Sequence, residues 1–255
     1  MSSKKRRRKT PAGPAGGIPR AAILRRLPWI AAGLFLLFAI YEFDEQPTLS
    51  GDNAQFVVLG QSIAMGKGLS HINEGTPSAH TKYPFLFPVM LAGVHLLFPF
   101  SWVAPKALVL LLGVFGTYFL ARVLLREYPP SIALSAIALT VVSPEILKYS
   151  HFVLSEVPYY FVSFVALFFY SRWRESANLR DLAIAFLLAV VSYYTRTIGI
   201  TLVLAVVASE ALQKRFKTSA VLLVAFVVLA APWAMRNQAV GTGYSYVYIL
   251  ISSYP

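Results

Sequence analysis

Long apolar runs separated by short polar or basic connectors dominate the chain. They lie at about 27–43, 103–125, 131–148, 153–170, 179–194, 198–212 and 219–233. Some are shorter than the roughly 20 residues that a membrane-crossing helix prefers, a deficit that tilt and snorkelling flanks accommodate. An eighth run, 85–100, is short and has Pro84, Pro88 and Pro99 in or beside it, which suits a re-entrant or interfacial helix better than a crossing. Between the first two runs, Phe56, Leu59 and Ile63 recur near helical spacing, with Val57 and Met65 less strictly placed. Gly51-Asp52 precedes this stretch, and Gly66 and Gly68 supply its stop.

Composition agrees with a bilayer as solvent. Of the 255 residues 57% are hydrophobic and 13% charged, well away from the balance of soluble domains. The chain has no cysteine, which excludes disulfides, thiolate metal sites and a cysteine nucleophile. The net charge of +12 is uneven: nine of the 23 Lys and Arg fall in the first 26 residues. Lys4 to Lys9 and the Pro/Gly-rich run to Pro19 read as part of a disordered basic tail, residues 1–26. Just before an apolar run, such a tail acts as a cytoplasmic anchor, and no nucleic-acid partner is expected. No small-residue cleavage site follows that run, so the anchor is expected to stay uncleaved.

Charge also sets the number of crossings. Three connectors carry several cations: Arg122 with Arg126, Arg172 with Arg174 and Arg180, and Lys214 with Arg215 and Lys217. For all three to share the tail's side, the run at 85–100 must not cross. This leaves 17 of the 23 cations inside and seven acids outside, namely Glu42, Asp44, Glu45, Asp52, Glu74, Glu145 and Glu156. The expectation is an all-α integral membrane protein with seven transmembrane helices over residues 27–234 and the N-terminus inside. Its long first outer loop, 42–102, is structured by interfacial helices, and 235–255 begins another outer loop.

Candidate chemistry gathers on the outer side. Asp52 opens the amphipathic stretch, where a carboxylate either caps a helix or serves a site; both readings stay open from the residues alone. Glu156 stands two residues before Pro158 at the edge of the fourth span, where an ionisable group is a functional candidate and a capping role is the plain alternative. Arg196, in a tight outer turn, and Lys82, before the Tyr83-Pro84 corner, would suit an anionic ligand such as a lipid phosphate. His71, His80 and Glu74 have no repeated metal-ligand spacing and read as surface residues.

Five segments in order resemble a known family. Gly51-Asp52 with Gln55-Phe56, Leu59-Gly60 and Gly66-Lys67-Gly68 is similar to its acidic first-loop motif, and Lys82 to Pro88 to its proline-rich loop end. Leu154-Ser155-Glu156-Val157-Pro158 is similar to its second acidic motif, and Thr195 to Gly199 and Pro232 to Asn237 to later landmarks. The chain resembles the GT-C glycosyltransferases, specifically the dolichyl-phosphate-mannose-protein mannosyltransferase-like and lipid A aminoarabinose transferase-like proteins. The resemblance implies a seven-helix GT-C module in a bacterial inner or cell membrane. It implies transfer of a sugar from a polyprenyl-phosphate donor to an acceptor hydroxyl of a lipid, glycan or protein on the non-cytoplasmic face. Asp52 would be the general base and Glu156 a second acid orienting the acceptor, with Lys82, Tyr83, Arg196 and Arg236 binding substrate.

The match has departures. Aminoarabinose-branch relatives carry Glu-Lys-Pro where this chain has Lys82-Tyr83-Pro84, so an acidic metal ligand is missing. The resemblance fixes no cofactor, and a divalent metal is left open. Asp44-Glu45 resembles the acidic pair that some mannosyltransferases place after their first span, which makes Asp44 a competitor for the base. The chain is short for the family, so it is expected either to be a fragment or to have the rest supplied by a separate chain. A membrane transporter, or an inactive or partial membrane subunit, are the alternative readings.

Overall fold

The computed structural model describes residues 20–47 and 51–240, with residues 20–24 as backbone only. Its helices are α1 (Arg20–Tyr41), α2 (Gly51–Ala64), α3 (Leu86–Leu97), α4 (Val103–Glu127), α5 (Pro130–Val141), α6 (Pro144–Tyr149), α7 (Glu156–Ser176), α8 (Leu179–Thr195), α9 (Ile200–Leu212) and α10 (Phe216–Val240). A 3-10 turn, Thr197–Gly199, leads into α9, and a short antiparallel hairpin pairs β1 (Ser70–His71) with β2 (Ser78–Ala79) between α2 and α3. The described residues are thus all α apart from that hairpin. Lys4 to Lys9 and residues 241–255 lie outside the described residues.

Local chemistry sets the boundaries. Pro130 and Pro144 stand at the first positions of α5 and α6, where a missing N–H costs nothing. Asn178 caps α8 by accepting the Arg180 N–H at 3.0 Å. The exit of α2 turns through Gly66 (φ 71°) and Gly68 (φ 68°), left-handed conformations that glycine adopts without cost. Two expectations need correction. The basic tail does not run to residue 26, because α1 already begins at Arg20; Ala21-Ala22-Ile23-Leu24 are helix formers with no proline among them. The apolar run 131–148 is not one helix, because Ser143-Pro144 breaks it, leaving α5 about 18 Å long.

Among the described residues two helices, α4 and α10, are long and apolar enough to cross a membrane. The centre of the packing is α4, which contacts α1, α3, α5 and α7; α7 then packs on α8, and α9 and α10 follow on α8's far side. Three apolar cores result. Phe35, Ala39, Leu110 and Ile137 join α1, α4 and α5, while Phe56, Leu59, Phe87, Leu91 and Val109 bind α2 and α3 onto α4. Tyr170, Trp173, Phe186, Val203 and Phe226 join α7 to α10. Much of the outer surface is apolar as well: on α10, Val221, Val224 and Val228 are mostly exposed.

The bundle has two chemically distinct ends. At one, Arg126 pairs with Glu175, and Arg174 reaches Glu127 at 3.6 Å, so the α4–α5 and α7–α8 connectors meet. There too Arg172 holds the buried Asp181 at 3.2 Å. The fully buried Glu210 of α9 accepts from Tyr170 (2.9 Å) and Trp173 (3.0 Å) of α7 and faces Arg215 at 3.4 Å. The three basic connectors therefore share one end. The opposite end carries the long connection between α1 and α4, the start of α7, the α8–α9 turn and the end of α10.

Where α2 crosses α3, Gly60 permits close approach: a Cβ there would lie 2.7 Å from Leu91 Cβ and 3.2 Å from His95 Cδ2. Gly60→Ala should therefore overpack the crossing and cost about 1–3 kcal/mol. Gly93→Ala, on α3 with open space around it, should be neutral or stabilising by up to about 1 kcal/mol. Thermal unfolding of the two purified variants in detergent checks the contrast.

Candidate functional site

Asp52 sits in the first turn of α2, so its carboxylate meets the positive end of that helix. Its hydrogen bonds, however, go across the connection. The Tyr83 hydroxyl donates to Oδ1, and the Lys82 ammonium stands 3.5 Å from the same oxygen. Oδ2 takes no hydrogen bond among the described residues, and the side chain is 53% exposed. Lys82 also lies over the Tyr83 ring, 4.6 Å from its centroid. The phenol is in turn clamped between Phe56 (4.6 Å) and His80 (5.0 Å), and Pro84 fixes the corner that turns into α3. Two residues adjacent in sequence thus meet an acid 30 and 31 positions earlier.

Behind this contact is a histidine pair. His80 is 1% exposed, which corrects the expectation that it is a surface residue. Its Nε2 receives the Tyr83 backbone N–H at 2.6 Å. A backbone N–H can only donate, so the ring proton is on Nδ1, and Nδ1–H donates to His71 Nε2 at 2.9 Å. The hairpin register, with Ser70 opposite Ala79 and His71 opposite Ser78, brings the two rings together. Burial, then His71, then the charges of Arg236 and Lys82 push the His80 imidazole down to about 3. Glu74, by contrast, is exposed and accepts from Ser78 Oγ at 2.6 Å.

Arg236 comes from the far end of the chain. Its guanidinium donates to the His80 carbonyl, to Leu69 O at 3.4 Å and to Asn237 Oδ1 at 2.9 Å. Most of its donors are therefore occupied in holding the connection onto α10. Phe85 packs against Tyr194 of α8 and Trp233 of α10, at 4.9 and 5.6 Å, and closes the same junction.

Glu156 and Arg196 form a second pair. Glu156 stands in the first turn of α7 and Arg196 in extended backbone just after α8, and their side chains make a half-exposed ion pair. This pair lies at the same end of the bundle as Asp52. No ion pair among the described residues joins Glu156 or Arg196 to Asp52 or Lys82. The six expected site residues therefore resolve into two groups at one end: Asp52, Lys82, Tyr83 and Arg236 around the connection, and Glu156 with Arg196 between α7 and α8.

Lys106 of α4 is a residue that sequence reasoning passed over. It is 2% exposed, and its ammonium donates to the backbone carbonyls of Asp44, at 2.7 Å, and Gln46. A lone lysine inside an otherwise apolar run was the available signal. The Asp44 carboxylate meanwhile accepts the Gln46 N–H at 2.8 Å, a local turn. Asp44 is therefore engaged by its own loop, whereas Asp52 is engaged by groups brought from elsewhere.

Replacing Lys106 by Met should strand two carbonyls and cost about 1–3 kcal/mol. Lys148→Met, at an exposed position of α6, should stay within about 0.5 kcal/mol of the parent. Midpoints of chemical or thermal unfolding in detergent provide the comparison.

Compared with known proteins, the chain matches no family model, no curated protein and no solved structure.

Proposed function

We propose that this chain is a membrane-embedded glycosyltransferase module, of the GT-C kind, that moves a sugar from a polyprenyl-phosphate donor to an acceptor hydroxyl. The observation that carries the reading is Asp52: an exposed carboxylate with one oxygen fixed by Tyr83 and Lys82 and the other without a hydrogen bond among the described residues. Such a group suits a general base, because fixing one oxygen orients the other toward an incoming hydroxyl. As the glycosyl bond to the phosphate loosens, negative charge grows on the leaving phosphate. Lys82 has three N–H donors, and among the described residues its one hydrogen bond is the long contact to Asp52, so it can also face that charge. Arg196 is the second cation for it, and Glu156 orients the Arg196 guanidinium.

The donor set beside Asp52 consists of an ammonium and a phenol, a poor setting for a divalent cation, and no metal step enters this reading. The membrane part of the proposal has seven crossings, with the basic end in the cytoplasm and Asp52 on the opposite face. It is supported by the meeting of the three basic connectors at one end and by the apolar outward faces. The acceptor is a hydroxyl compound of lipid, glycan or protein type.

In membranes holding the full-length protein, labelled polyprenyl-phosphate sugar should be consumed, and Asp52→Asn should slow this by about 100-fold or more at unchanged expression. Undiminished transfer in that variant would sink the assignment, and vectorial uptake without transfer would point to a transporter. A reporter inserted after Phe100 should be found on the face opposite the N-terminus; finding it beside the N-terminus would mean that α3 crosses.

A further inference from the structure

We propose that His80 is a positioning residue: held neutral between Tyr83 and His71, it latches the connection so that Tyr83 reaches Asp52, and acid releases that latch. The proposal rests on the reading of Asp52 as a base only for its effect on turnover.

The geometry leaves the pair one workable proton arrangement. His80 Nε2 must be bare to accept the Tyr83 N–H, and His71 Nε2 must be bare to accept the His80 Nδ1–H. A proton added at His80 Nε2 would face the Tyr83 N–H, so His80 cannot take one up without breaking that hydrogen bond. The other tautomer of His80 fails for the same reason.

The surroundings oppose a positive charge as well. The groups facing the ring are His71 from β1, Lys82 and Tyr83 from its own connection, and Arg236 from α10. Among these, the charged side chains are cations, and the ring is buried. Desolvation, His71, Arg236 and Lys82 together hold it at about 3, against about 6.5 for a solvated imidazole.

The sign of the pH effect follows. Between those two values the released ring binds a proton and the latched ring does not, so acid favours release. The latch is fully held above about pH 6.5 and is progressively lost as the pH falls toward 3. At pH 5.0 a ring titrating at about 6.5 is protonated roughly 30 to 1 when released, so the opening equilibrium should rise about 30-fold over that at pH 7.5. Opening frees the Tyr83 backbone N–H and withdraws the anchor of the phenol that holds Asp52 Oδ1.

The test is amide hydrogen exchange of the full chain in phosphatidylcholine nanodiscs at pH 7.5 and 5.0, corrected for the intrinsic exchange rate. Protection at the Tyr83 amide should fall about 30-fold in the parent. In His80→Gln, whose amide oxygen can accept the same N–H without titrating, protection should not change. A flat parent, or an equal fall in both, overturns the proposal. Nitrogen-15 spectra of the labelled parent need no variant: His80 should remain the neutral Nδ1–H tautomer at pH 5.0, and a protonated or Nε2–H ring overturns the proposal. If Asp52 is the base, transfer should lose more activity on the acid side in the parent than in His80→Gln. Asp52→Asn separates the two readings. A responsive latch with full transfer in that variant overturns only the base, and a flat latch with transfer abolished overturns only the latch.

Discussion

The whole arrangement depends on keeping charge out of the middle of its long helices. In α4 no Lys, Arg, Asp or Glu lies between Lys106 and Arg122; in α7 none lies between Glu156 and Arg172; in α10 none lies between Lys217 and Arg236. Burying an unpaired charge along those stretches would cost several kcal/mol or force neutralisation. Charged groups are therefore driven to the helix ends, where they can pair or face water. One end gathers arginines with Glu127, Glu175, Asp181 and Glu210, and the other gathers every candidate functional residue.

Within that constraint the two ends differ in kind. The basic end is a set of side-chain pairs that lock helix to helix, with Glu210 receiving hydrogen bonds from Tyr170 and Trp173. The opposite end is built largely from side chains that hold backbone: Lys106 on the carbonyls of Asp44 and Gln46, Arg236 on those of Leu69 and His80, and His80 on the N–H of Tyr83. A long irregular connection has many peptide groups that no helix or sheet satisfies, and these three residues supply partners for several of them. The carboxylate of Asp52 is steady because the backbone around it is.

Apolar periodicity made most helices legible, since an uncharged run of helical length has few other folds open to it. The shared end of the basic connectors was legible for a related reason, as two apolar runs separate each connector from the next. Less legible was the break at Pro144, because an apolar run continues through it and length alone argued for one span. At the candidate site, Asp52, Lys82 and Tyr83 stood out by residue type, but their mutual contact did not. It depends on the approach of α2 to α3 at Gly60 and on a hairpin whose two-residue strands carry no periodic signal. The same hairpin register buries His80, which from its loop context looked like a surface residue.

The bond from Arg236 to the His80 carbonyl spans 156 positions of sequence. Chains are made from the N-terminus onward and fold as segments emerge, so the connection between α1 and α4 is synthesised long before the guanidinium that holds it. Until Arg236 emerges the His80 carbonyl must find another partner, and the surroundings of Asp52 are completed only when α10 docks. Assembly of this end is thereby tied to the arrival of the last described helix, and a nascent chain that stalls before Arg236 carries Asp52, Lys82 and Tyr83 without the clamp that fixes the loop they stand on.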